Sequence, residues 1–179
     1  MRVVVIGCSG SGKTTFARAL AARLGAPIFE LDELFWGPHW TPKPTAQFIA
    51  LTAQAAAGER WVIEGNYRAV RHVVWPRATH IVWLDFSLAR VMWQVGWRTF
   101  HRVLSGQVLW HGNRESWLKA FFSRESILLW AWRTHPRKRQ EFSALREAAG
   151  DDDGEVRWVV LRRPAEAAAM VYRATQIRP

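Results

Sequence analysis

One stretch limits this chain more than any other. Gly7-Cys8-Ser9-Gly10-Ser11-Gly12-Lys13-Thr14 meets the spacing Gly-x-x-x-x-Gly-Lys-Ser/Thr at every fixed position. Before it, Val3-Val4-Val5-Ile6 is a β-branched run that predicts a buried strand. After it, Thr15 to Leu24 predicts a helix closed by Gly25. Strand, glycine loop and helix N-terminus together form a nest of backbone N–H groups aimed at one point. Such a nest suits the β- and γ-phosphates of a nucleotide. Lys13 would reach their oxygens as a point charge, and the Thr14 hydroxyl would ligate Mg²⁺. Gly7, Gly10 and Gly12 permit close approach of phosphate to backbone, and Ser9, Ser11 and Thr15 complete the cradle. The alternative is an ordinary glycine-rich turn. Lys13-Thr14, with both flanks in place, argues against it.

The rest of the chain reads as strands and helices in alternation. Pro27–Asp32 is a short second strand, with Glu30 and Asp32 two apart and so on one side of an extended segment. Asp32 could orient metal-bound water, accept a proton from a substrate hydroxyl, or merely cap a turn. Trp36 to Pro44 is a stiff loop suited to a pocket wall, and a helix follows from Thr45 to about Ala57. Arg60–Glu64 is the third strand, tipped by an acid that would serve a metal through bound water. Arg68, just beyond, would clamp an anionic acceptor. Thr79–Asp85 is the fourth strand, again acid-tipped, which makes Asp85 a further metal candidate. A long helix from about Leu88 to Leu104 carries Arg90, Gln94, Arg98 and Arg102 at four-residue spacing. A second helix runs to about Thr134, Pro136 interrupts it, and a further helix reaches Ala149. Val156–Leu161 is the fifth strand, and a last helix starts near Ala165. Carboxylates at strand tips belong at the carboxyl edge of an open parallel sheet, where ligands bind.

Length and composition narrow the class. At 179 residues, with 49% hydrophobic and 22% charged residues, one globular domain is expected over residues 1–179. Cys8 is the lone cysteine, which excludes an internal disulfide and fits a reducing cytoplasm. Met1 leads straight into the first strand, leaving no room for a signal peptide, and no apolar run approaches the ~20 residues of a membrane span. The formal charge is +10, and the excess falls between residues 86 and 147, with eleven basic against four acidic groups. That region would hold nucleotide phosphates, an anionic substrate or nucleic acid, or be a solvated arginine-rich face. Arg137-Lys138-Arg139 reads as such a face. Twelve tryptophans accompany the charge. Tryptophan alternating with arginine can stack nucleic-acid bases, but aromatic residues at helical spacing are more often core, and core is the expectation here.

Five strands alternating with helices, a phosphate loop after the first and a helical insertion after the fourth resemble the nucleoside monophosphate kinase branch of the P-loop fold. More narrowly, the chain resembles the adenylate-kinase-related proteins labelled DNA topology modulation proteins. The match is carried by Gly7–Thr15, Leu31-Asp32, Glu64-Gly65-Asn66-Tyr67, Trp83-Leu84-Asp85, Gly112-Asn113-Arg114-Glu115-Ser116 and Phe122-Ser123-Arg124-Glu125-Ser126. The resemblance implies an α/β three-layer fold with a five-stranded parallel sheet in the order 2-3-1-4-5, and an arginine-rich lid over about residues 88–134. It implies ATP and Mg²⁺ as cofactors, Arg98 as a phosphate clamp, and Arg114 and Arg124 as lid arginines. Gln94 stands where a second arginine is expected, leaving that part to Arg90 or Arg102. Arg162-Arg163-Pro164 falls in the loop that packs on the adenine ring, which makes Arg163 a nucleotide-binding candidate. The family's Asp-Gly-Phe-Pro-Arg becomes Glu64-Gly65-Asn66-Tyr67-Arg68, with a longer acid and no proline.

The expected function is phosphoryl transfer from ATP to a small anionic or hydroxyl acceptor. The alternative is a nucleic-acid-associated ATPase affecting DNA topology, and a nucleotide-binding regulator without turnover is a third reading. Oligomeric state is not legible.

Overall fold

The structure, a computed structural model, describes residues 1–105, 127–150 and 156–174, with side chains described over 1–97, 132–150 and 156–174. Strands β1 (Arg2–Gly7), β2 (Ile28–Glu30), β3 (Trp61–Glu64), β4 (His80–Leu84) and β5 (Arg157–Leu161) form one parallel sheet in the order β2-β3-β1-β4-β5. That is the order the resemblance implies. Parallel strands are buried on both faces, which explains why β1 reads as an unbroken apolar run.

Helices cover both faces. Side chains alternate along β1: Val3 and Val5 share one cluster with Phe16, Leu20 and Ala167, while Val4 and Ile6 share the other with Phe48, Val74 and Phe142. The first layer holds α1 (Lys13–Leu24), α5 (Leu88–Ser105) and α7 (Pro164–Arg173). The second holds α2 (Leu31–Phe35), α3 (Thr45–Ala55), α4 (Arg71–Val74) and α6 (Ile127–Ala149). β1 is central, so its carboxyl end delivers the phosphate loop to the middle of the sheet edge. β3 and β4 flank it on opposite sides.

Three local expectations change. Asp32 is helical: β2 ends at Glu30 and α2 begins at Leu31, so the two acids do not share one side of an extended segment. Pro136 lies inside α6, which runs unbroken from Ile127 to Ala149. A proline there removes one backbone donor at a cost of about 3 kcal/mol. Tertiary anchors offset it: buried His135 donates from Nε2 to the Phe86 carbonyl at 2.9 Å, and Phe142 is fully buried against Trp83. The tryptophans also divide. Trp61 and Trp83 are core, but Trp93, Trp97 and Trp132 are 60%, 56% and 58% exposed. Val91 and Val95 already fill the inward stripe of α5, so Trp93 and Trp97 face outward, one turn apart.

Candidate active site

The phosphate loop leaves β1 and enters α1 at Gly12, whose φ of 85° is left-handed. Gly10 is the tightest point. Its φ is 79°, and a Cβ there would overlap Val95 Cγ2 on α5. The loop is therefore wedged against the helix that follows β4, and only glycine fits. Lys13 Nζ donates to the Cys8 carbonyl at 3.1 Å, across the mouth of the loop.

Strand register brings the first acid to this loop. Glu64, the last residue of β3, stands opposite Val5 on β1, and Gly65 N–H donates to the Val5 carbonyl at 3.0 Å. The Thr14 hydroxyl donates to Glu64 Oε1 at 3.0 Å, joining α1 to the β3 tip. Glu64 is 3% exposed. Burial pushes its carboxyl above the ordinary range, and the nearby Asp32 and Glu30 push the same way. Lys13 and the Thr14 hydrogen bond oppose them. A hydroxyl and a carboxylate in contact at a phosphate loop are a fitting donor pair for Mg²⁺, which takes one or two protein oxygens plus water and phosphate oxygens. Among the described residues no three His, Cys, Asp or Glu side chains converge into a cage.

The other acids have other partners. Glu30 lies beside Glu64 across β2 and β3, and Arg18 pairs with it at 2.5 Å. Asp85, expected as a metal acid, accepts from Arg139 Nε at 3.0 Å and faces Arg162 Nε at 3.8 Å. The reason lies in topology. β4 emerges on the far side of β1 from β3, where α6 and the β5–α7 turn present arginines. Arg139 is exposed, as the reading of a solvated face expects, and it also reaches Asp85 at the sheet edge.

Asp32 is held from across the site. Tyr67 OH donates to its Oδ1 at 2.6 Å. Burial, together with the Asp32 charge, pushes the Tyr67 hydroxyl far above its ordinary range, so it stays protonated and can only donate to that oxygen. Phe35 and Phe48 pack on the Tyr67 ring with centroids 4.8 and 5.2 Å away. The backbone turns into this segment at Gly65, whose φ of 131° and position against Leu31 Cβ leave no room for a side chain. Beyond it, Trp36 meets Phe35 and Trp40 edge-on. Lys43 closes that loop by donating to the carbonyls of Leu34 and Trp36.

Arg68 does not stand free. With Arg71 and Lys138 it converges on Glu141 of α6, at 3.0, 2.7 and 3.1 Å. Burial alone would raise the Glu141 carboxyl; hydrogen bonds from the three cations overcome it and pull it down to about 2. Arg163 pairs with Glu166 at 2.7 Å and caps α7. Its neighbour Pro164 instead lines a cavity of about 750 Å³ between α1 and α7, which begins at Ser11, Gly12 and Thr15 of the phosphate loop. The side chains of Arg98, Arg114 and Arg124 lie outside the described residues, as does much of the expected lid. Sequence reasoning missed Tyr67, Glu141, Arg139 and the cavity. Each contact spans 35 residues or more, so no local pattern announces it.

Comparison with known proteins agrees with this architecture. Residues 3–71 are similar to the ATPase family associated with various cellular activities (AAA). No curated protein matches the chain. Among solved structures, a gluconokinase from Sinorhizobium meliloti 1021 is 21% identical with a TM-score of 0.53, over 98% of this chain and 89% of that one. A shikimate kinase from Bacteroides thetaiotaomicron is 16% identical with a TM-score of 0.55, over 99% and 97%. A deoxyadenosine kinase from M. mycoides, solved with dCMP and dCDP bound, is 12% identical with a TM-score of 0.52, over 99% and 100%. At these identities the likeness is one of fold. Among the described residues no helix is long and apolar enough to cross a membrane.

Proposed function

We propose that this protein is a single-domain phosphotransferase that moves the γ-phosphoryl group of ATP to a hydroxyl on a small acceptor. One observation carries the reading. Asp32, oriented by Tyr67, lies close enough to raise the carboxyl of Glu64, and Glu64 in turn holds Thr14 of the phosphate loop. A candidate base for an acceptor hydroxyl therefore adjoins the phosphate-binding machinery. The names of the like-folded structures, all kinases, support the same reading.

Phosphoryl transfer asks little covalent chemistry of a protein. Positioning and charge neutralisation do most of the work. The loop amides and Lys13 would bind and orient the β- and γ-phosphates. Thr14 and Glu64 would hold Mg²⁺, Glu64 through bound water, and the ion would neutralise charge on those oxygens. Tyr67 fixes Asp32 Oδ1, so Oδ2 would face the acceptor and take its proton as the phosphorus–oxygen bond forms. Phosphate acceptors need no base, so the Asp32–Tyr67 pair favours a hydroxyl. Arg98, Arg114 and Arg124 would supply further cations to the moving phosphoryl group. Arg68 and Arg71 would bind an anionic group elsewhere on the acceptor, because three cations around Glu141 leave the cluster net positive.

The test is a panel of sugars, sugar acids, nucleosides and nucleoside monophosphates incubated with ATP and Mg²⁺, read by phosphorus NMR. A phosphorylated hydroxyl product supports the proposal. Inorganic phosphate alone, with every acceptor class, refutes it.

A nucleic-acid-associated ATPase is the second reading, and one observation favours it. On α5, Trp93 and Trp97 are exposed and within 2° of parallel at 6.3 Å, and the Arg90 guanidinium lies 5.1 Å from the Trp93 ring. Bases stack on such surfaces. Anisotropy of a labelled single strand at about 50 mM salt decides it. Binding lost in Trp93→Ala supports this reading, and no binding removes it.

A further inference from the structure

We infer that a cavity at the amino edge of the sheet, away from the phosphate loop, binds a carboxylate that carries a short acyl chain. His80, Arg157 and Arg173 hold the head, and the space between β5 and α7 takes the tail. The inference does not depend on the phosphotransferase reading.

Topology brings the three cationic groups together. His80 opens β4 and Arg157 opens β5, and the two stand side by side in the register of that parallel pair. Side chains alternate along a strand, so both face the layer that Val82, Val159 and Leu161 face, under α1 and α7. α7 returns from the carboxyl edge, which brings Arg173 at its end back to the level of Arg157. All three line one cavity of about 430 Å³, within the range of small-molecule sites. β5 adds Val159 and Leu161 to its walls, and α7 adds Ala169 and Met170. Val159 and Met170 are only half-buried, so apolar surface is left to meet a ligand.

The charge around this cavity is unbalanced. Arg157 and Arg173 are exposed, and among the described residues neither guanidinium has an ion-pair partner. Glu166 also lines the cavity, but its oxygens are already engaged. Oε1 accepts from Arg163 Nε at 2.7 Å, and Oε2 accepts from the Arg162 and Arg163 amides at 2.8 and 3.2 Å. His80 adds a donor that depends on its protonation. The Thr79 hydroxyl donates to the Arg2 carbonyl at 2.9 Å. With that proton committed, His80 Nδ1 is the donor to Thr79 Oγ1, at 3.0 Å. Nε2 then carries no proton in the neutral ring and gains one when the ring is charged. Burial, Arg157 and the chain's amino group hold the proton affinity of His80 below its ordinary value. A carboxylate bound beside it works in the opposite sense. Apolar walls with cations at one end match an anion with a tail. An inorganic anion or a sugar would leave Val159 and Met170 against water or hydroxyls.

The test is calorimetric titration with sodium octanoate, with acetate for the head alone and 1-octanol for the tail alone. Octanoate is expected to bind at least roughly tenfold more tightly than either. Arg157→Gln and Arg173→Gln should each weaken octanoate by roughly tenfold, because a hydrogen bond between charged groups is lost, and Arg157→Lys should keep most of the affinity. Affinity should rise as the solution is taken from about pH 8 to about pH 6, and the rise should vanish in His80→Gln. Lys13→Ala alters the phosphate loop and should bind octanoate as the wild type does. Binding that both arginine changes leave intact would place octanoate elsewhere, the larger cavity beside α1 included, and overturn the inference. Equal affinity for octanoate and octanol, no octanoate binding, or a rise with acid that survives in His80→Gln would overturn it too. Both arginines are exposed, so their variants should fold, as circular dichroism checks; Arg173→Met stands in if Arg173→Gln does not.

Discussion

Thr14 and Glu64 lie fifty positions apart in the chain, yet the hydroxyl of one donates to the carboxylate of the other at 3.0 Å. The contact joins the first turn of α1 to the tip of β3. It also leaves a carboxyl buried at 3% exposure with its proton affinity raised. A carboxyl whose folded-state pKa is raised costs stability as pH climbs from the unfolded value of about 4.5 toward the folded one.

Glu64→Gln is therefore expected to be more stable than the wild type at pH 7 and equal to it below about pH 4.5. A gain of about 1 kcal/mol would raise Tm by roughly 2–4 °C. Activity should fall at least tenfold if Thr14 and Glu64 hold Mg²⁺ as proposed. Calorimetric melts at pH 7 and pH 4, alongside a turnover assay, check both. A lower Tm at pH 7 would show that Glu64 is structural.

Removing the candidate base should separate chemistry from binding. Asp32→Asn is expected to lower kcat by roughly 10²–10⁴-fold with little change in ATP affinity. Tyr67→Phe keeps the ring packing against Phe35 and Phe48, loses only the hydrogen bond, and should lower kcat by about tenfold. Steady-state kinetics with calorimetric ATP binding are the measurement, and equal losses in kcat and in affinity would argue against a base.

Gly10 and Val95 form a steric test. Gly10→Ala adds a Cβ where Val95 Cγ2 already stands, at a left-handed φ, and should cost about 1–3 kcal/mol. Gly10→Ala with Val95→Ala removes the overlap but not the φ strain, so it should recover part of the loss beyond the sum of the single changes. A double-mutant cycle by urea unfolding measures the coupling. Strict additivity would mean that loop and helix are not in contact.

Glu141 sets an acid limit on the tie between α6 and the segment after β3. Its carboxyl is held at about 2, below the usual 4.5, so the stability it contributes is complete above pH 4.5 and is lost as pH falls through about 2. The urea midpoints of wild type and Glu141→Gln should differ most at pH 7, with the gap closing between pH 4.5 and pH 2. A gap unchanged at pH 2.5 would mean that the three cations do not act through the charge.

Some of this was legible in one dimension. Val3 to Ile6 announced a buried strand, because a parallel strand is apolar on both faces. The loop spacing announced a phosphate site, because the nest needs contiguous backbone and one lysine. The acids at the tips of β3 and β4 were visible too, because strand ends are set by local pattern. Tertiary structure decided what each acid does. Glu64 and Asp85 look alike in sequence, but β3 and β4 flank β1 on opposite sides. One therefore meets a hydroxyl and the other two arginines. Pro136 and Trp93 show the same limit. A proline signals a break, and a tryptophan at helical spacing signals core, until packing elsewhere holds the helix together or fills its inward stripe first. Local chemistry determined which elements form and where phosphate would bind. Contacts between residues far apart in the chain, which depend on sheet order and on how the helices pack over it, determined the rest.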